Sequence, residues 1–519
     1  MIFVSQGENP GSMASADRPT RQIRCFRAFF PRIVLIRIVL LLVLVVVFIF
    51  SIALCAPLFA QSLTSGSTAS SAGGVMQVQT SAQNPVFGSV PEAKATPGVL
   101  SLTFSDAIER ALRQNLAGLL SEYNTIESRG QKWQQLSDLL PNVSGDVQEL
   151  RQKLSTESEG FTAKLLPGIP PIIGPYSFFD VRASATQRVF DWKAIQKYRS
   201  AVIGEGVAKF NLKDARDLVV LATGNAYLQA IAGAARVETA QAQVESARAL
   251  YQKADAQQQA GVAPAIDTLR AQVEYQTRQQ QLIAAANDFA KQKISLARVI
   301  GLAPGQEFEL ADKAPYEAFP IPDLETSLQR AYSLRSDYKA ARDRLAAAQL
   351  EHNAAIAGYF PTIDMAVNFG EIGAAPGDVL PTYTVVGTLN IPIFQGGKVH
   401  GDVLKAEASL RQAQAQMADV RGQIDQDIRN ALLDLKSASD QVEVAQSSVN
   451  LAEQALTQSR DRFSAGVTDN LEVVQAQEAV ASAHESLISS LYLHNLAKVS
   501  FARALGRAEE GVREYLKGK

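Results

Sequence analysis

The sequence predicts a mainly α fold with a small β part, built from one helix–strand–strand–long helix–helix plan written twice. Three observations carry that prediction. The stretches 191–259 and 396–464 contain no proline, and each runs into Ala-Gly-Val (Ala260-Gly261-Val262 and Ala465-Gly466-Val467), 205 positions apart. Helical stretches upstream stop at Leu140-Pro141 and Phe360-Pro361, 220 positions apart; proline has no amide donor and disfavours helix in the residue before it. Hydrophobic residues make up 47% of the 519-residue chain but aromatics only 7%. The apolar count is therefore carried by Ala, Val and Leu, which suits long, closely packed helices better than a compact aromatic core.

The N-terminus reads as an export signal over 1–60. Arg18, Arg21, Arg24, Arg27, Arg32 and Arg37 form a basic region, an apolar run over 38–50 follows, and Leu58-Phe59-Ala60-Gln61 offers a cleavage site. Met13 is a candidate start. The alternative is an uncleaved anchor, since the run is long enough to cross a bilayer. Cys55 follows Leu54 rather than a small residue, which argues against lipidation, and Cys25 is the only other cysteine. A chain beginning near Gln61 has no thiol chemistry and no disulfide. Residues 61–100, rich in Ser, Thr, Gln, Gly and Pro, read as a flexible linker. A first repeat is expected over 101–305, a second over 306–508 and a C-terminal tail over 509–519.

Each repeat opens with a helix, over 105–139 and over 324–359. Two strands follow each proline. In the second half the alternation places Ile363, Met365, Val367, Phe369, Tyr383, Val385, Leu389 and Ile391 on one apolar sheet face. In the first half, 181–189 alternates with Arg182, Ser184, Thr186 and Arg188, and its partner after Asn142 is weaker and soon charged. The first half has about sixteen extra residues here. They include Pro167, Gly168, Pro170, Pro171, Gly174 and Pro175 and predict a loop.

The long helices should each reach on the order of 100 Å at 1.5 Å per residue. Glycine just past each end suits the left-handed turn that closes a helix. Return helices close at Ile300-Gly301 and Leu505-Gly506. A heptad seam runs through Ala431, Leu435, Ala438, Val442, Ala445, Val449, Ala452 and Leu456. It repeats 205 positions earlier as Ala226, Ala230, Gly233, Val237, Ala240, Val244, Ala247 and Tyr251. That period specifies supercoiled helix packing, and on its own a soluble coiled-coil dimer satisfies it. The strands discriminate. Four amphipathic strands cannot close a barrel, and no other segment looks suited to cover their apolar face. Several chains must pool strands; three would supply twelve.

These residues resemble the TolC-like outer-membrane efflux proteins from about Leu102 to Gly506. The motifs are Ile391-Pro392-Ile393-Phe394-Gln395-Gly396-Gly397-Lys398, then Arg462-Phe463-Ser464-Ala465-Gly466-Val467 with Leu471-Glu472-Val473-Val474-Gln475-Ala476-Gln477, and the terminal Ala504-Leu505-Gly506. The resemblance implies a homotrimer whose helices form a tapering periplasmic α-helical barrel, continued by a 12-stranded transmembrane β-barrel with four strands per protomer. It implies a passive exit duct of a tripartite efflux or type I secretion system. A periplasmic adaptor (membrane fusion protein) and an inner-membrane pump of RND or ABC type would dock at the helix tips, Ala260, Gly261, Val262, Ala465, Gly466 and Val467. Outer-membrane lipid would meet the strand face of Ile363, Met365, Val367, Phe369, Val385, Leu389 and Ile391. The family's acidic entrance positions match Glu472 and Gln475, so one acid is retained. Asp267 is the first-half counterpart of Glu472, with Arg270 beside it. The family's Tyr and Arg partners in the closing network fall on Phe463 and Thr468, so that particular lock is not expected. Carboxylates at a narrow mouth favour cations.

Net charge is −2, which gives no case for nucleic acid. His352, His400, His484 and His494 form no i, i+4 pair, and no cysteine lies near them, so no metal or other cofactor is expected. Gly396-Gly397-Lys398 lacks the remaining residues of a phosphate loop. No nucleophile–base set suggests an enzyme. The runner-up function is a periplasmic coiled-coil adaptor anchored in the inner membrane by residues 38–50.

Overall fold

The computed structural model describes residues 84–515, apart from 92–94, 96, 159, 161–167, 169, 313–315 and 469, with backbone only over 512–515. The expected signal at 1–60, the anchor alternative and linker residues 61–83 lie outside the described residues. A 3-10 turn at Pro85–Phe87 precedes β1 (Leu100–Leu102), α1 (Phe104–Gln114), α2 (Leu116–Ser137), β2 (Asn142–Ser155), β3 (Ile172–Phe190), α3 (Trp192–Gln259) and α4 (Ala265–Ile300). The second half repeats the plan as β4 (Phe308–Leu310), α5 (Leu324–Leu334), α6 (Ser336–Ile356), β5 (Thr362–Ala375), β6 (Asp378–Asn390), α7 (Lys398–Ser464) and α8 (Asn470–Ala504). A short α9 (Ala508–Tyr515) follows.

The opening helix of each half is broken rather than continuous. The breaks fall at Asn115 and Arg335, 220 positions apart, both with extended ψ (135° and 129°). Neither residue is a helix breaker by itself; tertiary contacts impose the interruption. At the first break the Leu116 amide donates to the Gly88 carbonyl (3.0 Å) and the Val90 amide to the Gln114 carbonyl (2.9 Å). Asn115 Nδ2 donates to the Val86 carbonyl (2.6 Å) and reaches the Val299 carbonyl (3.4 Å). Part of the expected linker is thus a docked strap. At the second break Arg335 fills the corresponding space. Its Nη1 donates to the Ala504 carbonyl (3.4 Å), 205 positions after Val299, and its guanidinium pairs with Asp337 (2.6 Å) and Asp427 (2.8 Å).

The extra residues of the first half lengthen strands as well as a loop. Gly174 and Pro175, expected in the loop, lie inside β3 opposite a register shift between Gln152 and Leu154 of β2. A bulge leaves one residue unpaired, so proline's missing donor costs nothing there. The tail expected from 509 onward begins as part of α9. Glu509 pairs with Arg216 of α3 (2.7 Å), and its amide donates to Asp217 (3.2 Å). A three-residue parallel pair, β1 with β4, joins the starts of the two halves.

The long helix α3 lies at the centre of the helical wall. Near the strands it is flanked by α2, through Lys132–Glu205 (2.6 Å), and by α6, through Arg344 to Asn211 (2.7 Å). Toward its far end it is flanked by α4, where the Thr268 hydroxyl donates to the Ala254 carbonyl (3.3 Å), and by α8, through Arg236–Glu485 (2.9 Å). Its small seam residues allow this crowding: a Cβ on Gly233 would lie 2.0 Å from Gln292 Oε1 of α4. One 18-residue window of α3 has mean hydropathy 1.4, yet 61% of it is buried inside the chain, so it is a core helix. The other long helix, α7, packs against α5, α6 and α8, and its buried residues form one stripe. There Ile424, Ile428, Ala431, Leu435, Ala438, Val442, Ala445 and Val449 are buried. Its other side exposes Leu433, Val444 and Leu451.

Candidate functional site

Two regions could carry function: the helix tips and the four-stranded sheet at the opposite end of the long helices. Both tips close alike. Gly261 (φ 75°) and Gly466 (φ 71°) are left-handed. The Val262 amide donates to the Gln257 carbonyl and the Val467 amide to the Arg462 carbonyl, each at 3.0 Å, while Gly261 and Gly466 reach Gln258 and Phe463. This double bond pattern satisfies the last carbonyls of a helix. Val262 and Val467 stand out into solvent.

The candidate entrance residues fall just beyond these turns, in the first turn or two of α4 and α8. Asp267 is buried and pairs with Arg270 one turn on (3.7 Å). Glu472 is half-exposed, pairs with Arg462 (3.7 Å) and accepts from the Ser459 hydroxyl (3.4 Å). Gln475 is exposed. The two acids are thus each held within their own helix pair. What ties the pairs together is different. Asn470, fully buried at the start of α8, donates through Nδ2 to the Asp267 carbonyl (2.7 Å). Leu250, Ala254, Ala271 and Val473 form an apolar cluster with Leu456 and Phe463 packed on it, drawn from all four helices. Lys253 Nζ sits 5.2 Å from the centre of the Phe463 ring, a cation–π contact. Sequence reasoning missed Asn470. Its first-half counterpart is Ala265, and that polar-for-apolar difference was the available signal.

The four-stranded sheet has the order β2-β3-β5-β6, antiparallel throughout. Its register sorts the side chains. Ile363 faces Leu389, Val367 faces Val385 and Phe369 faces Tyr383, with Met365 on the same side. Ala185 with Val143, and Val181 with Val147, extend that face across β3 and β2. Ile391 lies just past β6 and is exposed. The other face carries Asn142, Ser144, Asp146, Arg182, Ser184, Thr186, Asp364, Asn368, Thr384 and Thr388. On it Arg182 bonds Asn368 Oδ1 (2.8 Å) and pairs with Asp180 (3.2 Å). One face is apolar, the other polar, and both edges, β2 and β6, are unpaired among the described residues.

A duplicated helical wall bearing a two-faced antiparallel sheet is the pattern of a membrane channel subunit, and comparison with known proteins agrees. The family model described as outer membrane efflux protein matches residues 109–302 and 327–507, one block per half. The chain belongs to the outer membrane efflux protein family. It is 24% identical over 73% of its length to the pyoverdine export outer membrane protein OpmQ of Pseudomonas aeruginosa, covering 80% of that protein. It is 22% identical over 63% of its length to the outer membrane protein TolC of Escherichia coli, covering 69% of it. Among solved structures, the Campylobacter jejuni CmeC outer membrane channel superposes with TM-score 0.69 at 17% identity, over 84% of this chain and 95% of that one. The Vibrio cholerae outer membrane protein VceC gives 0.67 at 19% identity, over 78% and 96%. The protein is therefore an outer-membrane efflux channel with its helices in the periplasm, and the adaptor reading falls with that membership.

Proposed function

We propose that three copies of this chain close one channel: a twelve-stranded barrel in the outer membrane continued by a helical tunnel in the periplasm. The observation that carries this is the two-faced sheet with two free edges. β2 and β6 run in opposite directions, so β6 of one copy can pair with β2 of the next in the antiparallel sense used elsewhere in the sheet. Closure removes both exposed edges and gives lipid the face of Ile363, Met365, Val367, Phe369, Val385 and Leu389, with Ile391 at its margin. The polar face lines the lumen, as in other outer-membrane barrels. The exposed stripe of α7 (Leu433, Val444, Leu451) would meet the exposed residues of the next copy's α2 and α4, among them Trp133, Leu269, Val273 and Ile283.

The helix tips, Ala260-Gly261-Val262 and Ala465-Gly466-Val467, are the docking surface for a periplasmic adaptor, with an RND or ABC type pump behind it. Asp267, Arg270, Glu472 and Gln475 surround the periplasmic entrance. The duct is passive; the partner supplies energy. Tip cross-linking tests the docking: photo-reactive groups at Val262 and Val467 should capture an adaptor in cells, and capture only from groups placed on the strands would contradict it. Glu472→Gln should lower cation preference in single channels. Unchanged selectivity would remove Glu472 from the entrance.

A further inference from the structure

The duplication extends to the hydrogen-bond register of the sheet. A shift of 220 positions carries β2 onto β5, with Pro141 falling on Pro361, and a shift of 204 carries β3 onto β6, with Phe190 falling on Phe394. The two shifts turn the first hairpin into the second, pair for pair. Asn142 with Thr186 becomes Thr362 with Asn390, Val147 with Val181 becomes Val367 with Val385, and Glu149 with Phe179 becomes Phe369 with Tyr383; each of these pairs is present.

One junction joins the two hairpins within the chain, β3 on β5. Closing a ring needs the reciprocal junction, β6 of one copy on β2 of the next. The same shifts applied to β3 on β5 give its register. Ala185 with Val367 becomes Leu389 with Val147, Thr186 with Ala366 becomes Asn390 with Asp146, and Phe190 with Ile363 becomes Phe394 with Val143. Both shifts are even, so each side chain stays opposite one on the same face, as the pleat requires. The chemistry across the junction fits as well. The Asn390 amide can donate to the Asp146 carboxylate. Arg182 with Gly370 becomes Val386 with Leu150, two apolar residues of the lumen face set against each other. A slip of two residues either way sets Val386 against Gln148 or Gln152.

The same junction accounts for the bare start of the 391–398 motif. In the first half the strand runs on to Phe190, which lies opposite Ile363 and is 38% exposed. In the second half β6 stops at Asn390, and Phe394 is 88% exposed. Val143, the residue the register sets against it, is 74% exposed, whereas its counterpart Ile363 is 40% exposed. The ladder of β3 on β5 breaks between Arg188 and Phe190. Pro392 takes the place of Arg188 at that break, where a residue without an amide is tolerated.

We propose that residues 391–394 are a strand completed by assembly: β6 runs on through them along the start of the next copy's β2, in the register Leu389 with Val147 and Asn390 with Asp146. The occupant of this edge is a second copy of the chain. The proposal rests on the three-copy barrel above and deepens it, fixing which residues meet at the seam and giving the motif after β6 a role in closing it.

Disulfide trapping reads the register. Within one chain β3 and β5 separate Val147 from Leu389, so about 14 Å, three strand spacings, lies between them; a disulfide needs Cα atoms within about 7 Å. Val147→Cys with Leu389→Cys, and separately Asp146→Cys with Asn390→Cys, are made in the full chain and oxidised in outer membranes. Successive antiparallel pairs alternate between wide and narrow spacing, so one of the two is of the narrow kind. At least one should convert most chains to covalent dimers and trimers on denaturing gels, above the parent, whose only cysteines are Cys25 and Cys55. Val147→Cys with Val385→Cys, four residues out of register, should give no more than the parent. If one matched pair does not assemble, the other decides alone. Trapping by the out-of-register pair, or by neither matched pair in assembled oligomers, overturns the register and leaves the barrel standing. A parent protein that forms no oligomer overturns the barrel itself.

Discussion

The two long helices, α3 and α7, are one element written twice, 68 and 67 residues long with corresponding seams and tips, yet their surroundings differ. α3 buries residues around most of its circumference, from Ala194 to Ala254, because other helices of the same chain flank it on both sides. α7 buries one narrow stripe and leaves Leu433, Val444 and Leu451 in solvent. A duplicated sequence therefore sets local geometry, and position in the wall sets which surface is core. In the proposed trimer, the exposed side of α7 is where the next copy supplies what α3 receives from its own chain.

The largest expected effect breaks this contrast directly. Leu228→Asp on α3 places a charge at a buried site and should unfold the chain, since an unpaired buried charge costs several kcal/mol or more. Leu433→Asp on α7 should leave the helix content of the chain unchanged by circular dichroism and abolish the oligomer on size-exclusion chromatography. Loss of helix in both variants would mean that α7 is as internal as α3.

Next come the helix breaks. Arg335 is almost fully buried and holds two carboxylates, one of them, Asp427, 38% exposed. Arg335→Ala should cost roughly 2–4 kcal/mol, below the range for a fully buried pair because water reaches Asp427. Asn115→Ala loses a helix cap and the bond to the strap, and should cost about 1–2 kcal/mol. Thermal melts of the assembled protein rank the two; the reverse order would show that the strap seals the wall more firmly than the arginine does.

A pH scan sharpens the comparison further. His494 of α8 corresponds to Phe289 of α4. Burial, with Lys498 nearby, pushes the imidazole down to about 4 from 6.5. Below pH 6.5 the unfolded chain takes up a proton that the folded site refuses, so stability falls as pH drops from about 6.5 to about 4 and then levels off. His494→Phe, which copies the first half, should flatten that part of the profile. The smallest effects belong to the tips. Gly261→Ala and Gly466→Ala meet no atoms within 4 Å, so each pays only left-handed backbone strain, about 1 kcal/mol. The two costs should match.

Much of this was legible in the residues. Absence of proline with glycine at the ends located the long helices, and period-two alternation sorted the faces of β5 and β6. The breaks at Asn115 and Arg335 were not legible, because the helical pattern runs through both positions and the interruption comes from groups far away in sequence, Gly88 and Ala504. Gly174 and Pro175 read as loop because a bulge that tolerates them is set by the partner strand. At the tips, Phe463 was read as lacking the hydroxyl that the family resemblance implies for its position. The contacts that Asn470 and Lys253 make with atoms of another helix pair are not revealed by spacing along the sequence.

The central claim is that three chains finish what one begins. The most direct measurement is the mass of the oligomer extracted from outer membranes, by light scattering with the detergent contribution subtracted. The account predicts three chains, hence twelve strands; one, two or any other number of chains would contradict it.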